Sequence, residues 1–203
     1  MTKRQDWKIL AKRAFSVHDV GTHSLHGCPE NVDLAPVFRR VAPSPENPTL
    51  SAIQNENSLI FSASPFIGAA DLLAALVERK DVRLGIATGH LSHAIAPALE
   101  RFGWQRHFCT VQTADKAPSK PHPGMILHAL SEAAVKAEDA IMIGDTAYDI
   151  EMARAADVRG VAVSWGYHRP DRLRDAGAWR VVNGMSELRD CLFESISSAS
   201  HEP

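Results

Sequence analysis

The chain has 203 residues, 45% of them hydrophobic and 23% charged, with a net charge of -2; this is ordinary globular composition, and the length suffices for one sizeable core without covalent staples. The charge argues against a nucleic-acid partner, which favours a basic face, and no run of about 18 apolar residues offers a membrane span. Cys28, Cys109 and Cys191 are widely spaced and odd in number, so they close no disulfide framework; with no apolar stretch near Met1 for a signal peptide, the expected location is the cytoplasm.

The first third of the chain shows little order. A short helix is expected at Trp7 to Arg13 and a strand at Ala14 to His18. Between residues 28 and 58 stand Pro29, Pro36, Pro43, Pro45 and Pro48, with Asn31, Asn47, Asn55 and Asn57. Prolines this close prevent a long helix and asparagines favour turns, so the stretch reads as loop. His18, His23 and His26 lie near one another, but their spacing is unspecific and they read as solvated loop residues.

From residue 64 the pattern alternates. Pro65 opens a helix in which Ile67, Ala70, Leu73, Ala74 and Val77 recur at helical spacing. Val82 to Ala87 reads as a buried strand, Ser92 to Phe102 as a helix and Phe108 to Gln112 as a short strand that places Cys109 in the core. A helix over Pro121 to Val135, a strand at Ala140 to Ile143 and a helix from Tyr148 to Ala156 follow. Gly160 to Ser164 is the next strand. A helix near Asp171 to Ala176, a strand at Arg180 to Val182 and a helix near Ser186 to Glu194 complete the pattern, with a frayed polar tail from Ser195. Strands alternating with helices of this length imply an α/β fold, a Rossmann-like parallel sheet with helices on both faces. Right-handed crossovers then bring every strand's C-terminal end to one edge, where such sheets bind ligands.

Chemistry collects at that edge. Thr88 ends one strand, Asp145 ends another, and Asp149 begins the next helix. Lys120 sits in Ser119-Lys-Pro-His-Pro123, ahead of a helix. Two close carboxylates repel unless a cation lies between them, and oxygen-only ligation suits Mg²⁺. A lysine and a hydroxyl beside that cation suit a phosphoryl group. Each residue also has a plainer reading: Thr88 as a helix cap, Lys120 as a solvated loop lysine, Asp145 and Asp149 as an N-cap and a first-turn acid. Trp165 and Tyr167 pack either the rim of the site or the core.

The segments Gly85-Ile-Ala-Thr-Gly89, Ser119-Lys-Pro-His-Pro123 and Gly144-Asp-Thr-Ala-Tyr-Asp-Ile150 resemble motifs two, three and four of the haloacid dehalogenase superfamily, in order. Val163-Ser-Trp-Gly-Tyr-His168 with Leu173 and Ala176-Gly177 resembles its phosphoglycolate phosphatase branch. The resemblance covers residues 64 to 190 and implies a Mg²⁺-dependent phosphatase of a small phosphorylated metabolite, acting through an aspartyl-phosphate. It implies that Thr88 and Gly89 bind phosphoryl oxygens, that Lys120 neutralises the phosphoryl group and that Asp145 binds Mg²⁺. Asp149 would help hold the metal or orient Lys120.

The chain departs from the family at motif one, since no Asp-x-Asp-Gly-Thr string is present. The nearest segment is Phe15-Ser-Val-His-Asp-Val-Gly-Thr22. An ungapped alignment puts His18 at the nucleophile and Val20 at the acid; one deletion keeps Asp19 as nucleophile and metal ligand, which is the preferred version. Ala14 to His18 would then fill the central strand slot between the strands ending at Thr88 and Asp145. The interval before Thr88 leaves only a proline-rich stretch for a cap. Three segments follow: an atypical stretch 1–63, a catalytic core 64–194 and a tail 195–203. The second reading is a catalytically impaired relative that binds a phosphate, a metal or a protein. A third is a reading-frame change upstream of an intact core.

Overall fold

The computed structural model describes residues 7–11 and 65–199. Its sheet has six parallel strands in the order β3-β2-β1-β4-β5-β6. These are β1 (Trp7–Ala11), β2 (Val82–Ala87), β3 (Phe108–Gln112), β4 (Ala140–Gly144), β5 (Arg159–Val163) and β6 (Arg180–Val182). The helices are α1 (Ala69–Val77), α2 (Ser92–Arg101), α3 (Gly124–Ala133), α4 (Ala147–Ala155), α5 (Pro170–Asp175) and α6 (Met185–Ala199). Among the described residues, no helix is long and apolar enough to cross a membrane.

The alternation of β4 shows how the sequence builds two apolar layers. Ile141 and Ile143 join one buried cluster with Leu84, Ile86, Leu73 and Leu76 of α1, and Leu188, Leu192 and Ile196 of α6. Ala140 and Met142 join the other, with Met125, Ile126 and Leu130 of α3 and Met152 and Ala153 of α4. Successive side chains of a strand point to opposite faces, so a strand covered on both sides must be apolar throughout. All five residues of β4 are buried.

Four expectations are corrected here. Trp7 to Ala11 is a strand, not part of a helix. It pairs with β2 on one side and β4 on the other, Leu10 level with Gly85 and Ala11 with Ile143. The central slot assigned to Ala14 to His18 is therefore taken by residues 7–11, while 14–18 lie outside the described residues. Cys109 is exposed, because β3 is an edge strand and only alternate residues turn inward. The tail expected to fray from Ser195 continues as helix to Ala199, with Ser195 and Ile196 buried.

Candidate functional site

Because all six strands run the same way, Thr88 and Asp145 emerge at the same edge, one after β2 and one after β4, with β1 between those strands. The chain order reverses direction across the sheet at β1, the kind of switch point where open α/β sheets hold ligands.

Lys120 reaches this edge from the segment before α3. Its Nζ donates to Ala87 O at 3.0 Å and pairs with Asp149 Oδ1 at 3.0 Å. The Lys120 side chain is 7% exposed and that of Asp149 fully buried, so Lys120 is not a solvated loop lysine. A buried charge of this kind persists only with a well-placed partner. The bond ties the ammonium to the carbonyl of Ala87, the residue before Thr88.

Thr88 is buried. Its N–H donates to Gln112 O at 2.9 Å, which ties the end of β2 to β3. Its Oγ1 accepts from His90 N at 3.2 Å, so the hydroxyl proton can be donated elsewhere. The following helix starts later, at Ser92, where Asp115 Oδ1 accepts from Ser92 N at 2.9 Å. Thr88 is thus not the cap of α2. Gly89 directly follows it in the turn.

The start of α4 is organised by a capping box. Thr146 Oγ1 accepts from Asp149 N, and the Asp149 carboxylate accepts from Thr146 N at 3.1 Å and from the Thr146 hydroxyl at 2.7 Å. Reciprocal capping satisfies backbone donors that a helix leaves unpaired. The N-cap is Thr146, so Asp145 is released from that duty. Asp149 is committed on both oxygens, Oδ2 to Thr146 and Oδ1 to Lys120.

Asp145 is almost wholly buried. Its Oδ2 accepts from Tyr167 N at 2.8 Å, and its backbone O accepts from His168 N at 3.0 Å. A Cβ on Gly166 would lie 2.1 Å from Asp145 Cβ, and one on Gly144 would lie 2.3 Å from Asp149 Cβ. Real Cβ atoms do not approach so closely, so both glycines are there for room. A buried carboxylate with oxygen chemistry fits Mg²⁺, which commonly takes one or two carboxylates and completes its shell with water and substrate phosphate. Among the described residues, no three His, Cys, Asp or Glu side chains gather to enclose a metal. Asp19 lies outside the described residues.

His168 carries a role that sequence reasoning did not give it. It is 7% exposed, and its Nδ1 accepts from Ala147 N, the first residue of α4, at 2.8 Å. That bond requires the neutral tautomer protonated on Nε2. Burial first, then the Arg172 guanidinium, holds the imidazole below its ordinary pKa, against the opposing pull of Asp145, Asp149 and Glu151. Tyr148 and Tyr167 flank it, with ring centroids 5.8 and 5.3 Å away. Tyr167 is 69% exposed and stands at the surface. Trp165 is partly buried and packs against the core cluster and edge-on to Phe66.

The described residues thus place a lysine, a threonine and two carboxylates at the C-terminal edge of a parallel α/β sheet. The family model for haloacid dehalogenase-like hydrolases matches residues 29–163, and the chain belongs to that family. The match starts before residue 64, inside the proline-rich stretch. The chain is 32% identical over 122 residues to a phosphoglycolate phosphatase of Nitrosococcus oceani, covering 60% of this chain and 54% of that protein. It is 30% identical over 186 residues to a phosphoglycolate phosphatase of Rhodospirillum rubrum, covering 91% and 70%. The crystal structure of a predicted phosphatase from Clostridium acetobutylicum superposes with a TM-score of 0.65 at 26% identity, over 72% of this chain and 68% of that one. The chain spans about half the length of the first curated relatives it matches.

Proposed function

We propose that this edge is a phosphomonoesterase-type site for a small phosphorylated metabolite with Mg²⁺, and that in this chain binding outlasts hydrolysis. The observation that carries the reading is the buried Lys120 ammonium, fixed between Asp149 Oδ1 and the carbonyl of Ala87, the residue before Thr88. A fixed cation and a fixed donor stabilise phosphoryl oxygens without reorganisation. Asp145 would hold the Mg²⁺ ion, which when bound supplies further positive charge for the phosphoryl oxygens. Gly89 beside Thr88 gives the phosphoryl group close access to the backbone. Phosphoglycolate is the first substrate to try, since phosphoglycolate phosphatases are among the relatives.

The weak hydrolysis follows from the sequence. Without an Asp-x-Asp-Gly-Thr string, the general acid that protonates the leaving alkoxide is missing, a group worth about 10²–10⁴-fold in rate. Asp19 remains the candidate nucleophile by sequence alone. Its claim is weakened by β1, because the strand in the central slot ends at Ala11 and not immediately before Asp19.

The test is Mg²⁺-dependent turnover of phosphoglycolate and p-nitrophenyl phosphate by the full chain, with Asp145→Asn and Asp19→Asn alongside. Slow turnover with measurable phosphate binding is expected. Fast turnover abolished by Asp145→Asn would overturn the impaired-hydrolysis claim, and its loss in Asp19→Asn would make Asp19 the nucleophile.

A further inference from the structure

The loop after β5 grips the candidate metal ligand from two sides. Tyr167 N donates to the Asp145 carboxylate at 2.8 Å and His168 N donates to the Asp145 carbonyl at 3.0 Å. The grip is close because residue 166 has no Cβ. A side chain ties this loop to the next element: His168 Nδ1 accepts from Ala147 N at 2.8 Å. Ala147 is the first helical residue of α4, and its N–H is one of the donors that a helix cannot satisfy itself. Thr146 and Asp149 satisfy each other's backbone groups, and Ala147 is left to His168. Asp145 is therefore bounded on its chain by a helix start and across space by a loop, and the imidazole joins the two.

We infer that His168 is a positioning residue for Asp145, holding its carboxylate in the orientation that binds Mg²⁺ through the Nδ1 bond to Ala147 N. The inference rests on Asp145 being the Mg²⁺ ligand proposed above. Groups that orient a metal ligand typically change metal affinity by about 10–100-fold when removed. A purely space-filling histidine would behave differently, and two amide substitutions separate the roles. Asparagine carries its Oδ1 on the same γ carbon that bears Nδ1 in histidine, so it can accept from Ala147 N. Glutamine is nearer in volume to histidine, but its oxygen sits one carbon further out, near the Nε2 position.

The experiment measures Mg²⁺ binding to the full chain by titration calorimetry for wild type, His168→Asn, His168→Gln and Asp145→Asn. Amide exchange of Ala147 is followed by NMR in the same proteins. The positioning role predicts that His168→Gln weakens Mg²⁺ binding by about tenfold or more and deprotects the Ala147 amide. His168→Asn should stay within about threefold of wild type and keep the amide protected. If both variants bind Mg²⁺ like wild type, while Asp145→Asn does not bind, His168 has no positioning role and the metal site stands. A His168→Gln protein that outperforms His168→Asn makes volume the relevant property and also overturns the inference. Should wild type and Asp145→Asn bind Mg²⁺ equally, the metal reading fails first and this inference falls with it.

Discussion

Lys120 and Asp149 form a buried ion pair at 3.0 Å, and the same Asp149 closes the capping box at the start of α4. One carboxylate thus carries a structural and an electrostatic task. Removing either partner of a buried pair strands the other charge, typically at about 3–5 kcal/mol. Losing a cap costs about 0.5–2 kcal/mol. Asp149→Ala loses both and Thr146→Ala only the cap, so Asp149→Ala should destabilise more, by about the ion-pair cost of 3–5 kcal/mol. Denaturant unfolding of both variants and of the double variant measures it, and the double variant should fall short of additivity because the residues share bonds.

Gly166→Ala and Gly144→Ala test the close approaches. Each added Cβ would meet a carboxylate side chain well inside contact distance. Overpacking of this kind costs about 1–3 kcal/mol. Gly166→Ala should also weaken Mg²⁺ binding, because relief of the clash moves Asp145. Gly144→Ala should weaken phosphate binding more than metal binding, since it displaces Asp149, which orients Lys120. Calorimetric titrations with each ligand check the pattern.

His168 gives a pH dependence. Its folded pKa lies below the ordinary 6.5, so between those values the unfolded chain binds more protons than the folded one. Stability then rises with pH across that window. It is fully present above about pH 6.5 and is lost as pH falls through the lowered value. Thermal melts from pH 7.5 downward should show wild type losing more stability than His168→Asn. Equal losses would contradict the neutral, buried imidazole.

The two described cysteines should differ in reactivity. Cys191 is buried, and burial raises its thiol pKa despite nearby Arg180. Cys109 is exposed on the edge strand. The thiolate is the reactive form, so peptide mapping after brief alkylation at neutral pH should find Cys109 modified and Cys191 protected. Alkylation of Cys191 under native conditions would contradict the packing of α6.

Much of the core was legible because strands and helices each write a clear period. Val82 to Ala87, Phe108 to Gln112 and Arg180 to Val182 are strands over the expected residues. β1 was not legible: the apolar residues of Trp7-Lys-Ile-Leu-Ala11 do not alternate, and no neighbouring element of the pattern brackets them. Its identity comes from pairing with β2 and β4, which is nonlocal information. Cys109 was misplaced because position in the sheet, not residue type, decides which side of an edge strand is covered. The capping box was readable as Thr146-x-x-Asp149, yet the plainer alternative considered for this segment put the cap at Asp145. The clasp of Gly166, Tyr167 and His168 on Asp145 joins residues some twenty positions apart, so no local pattern announces it.

The central claim is that Thr88, Lys120 and Asp145 bind a phosphoryl group together with Mg²⁺. The most direct measurement is calorimetric titration of the full chain with inorganic phosphate, with and without Mg²⁺, for wild type, Lys120→Ala and Asp145→Asn. The account predicts phosphate binding that Mg²⁺ strengthens, that Lys120→Ala weakens by about tenfold or more, and that loses its Mg²⁺ dependence in Asp145→Asn. Phosphate binding equal in all three proteins and indifferent to Mg²⁺ would contradict it.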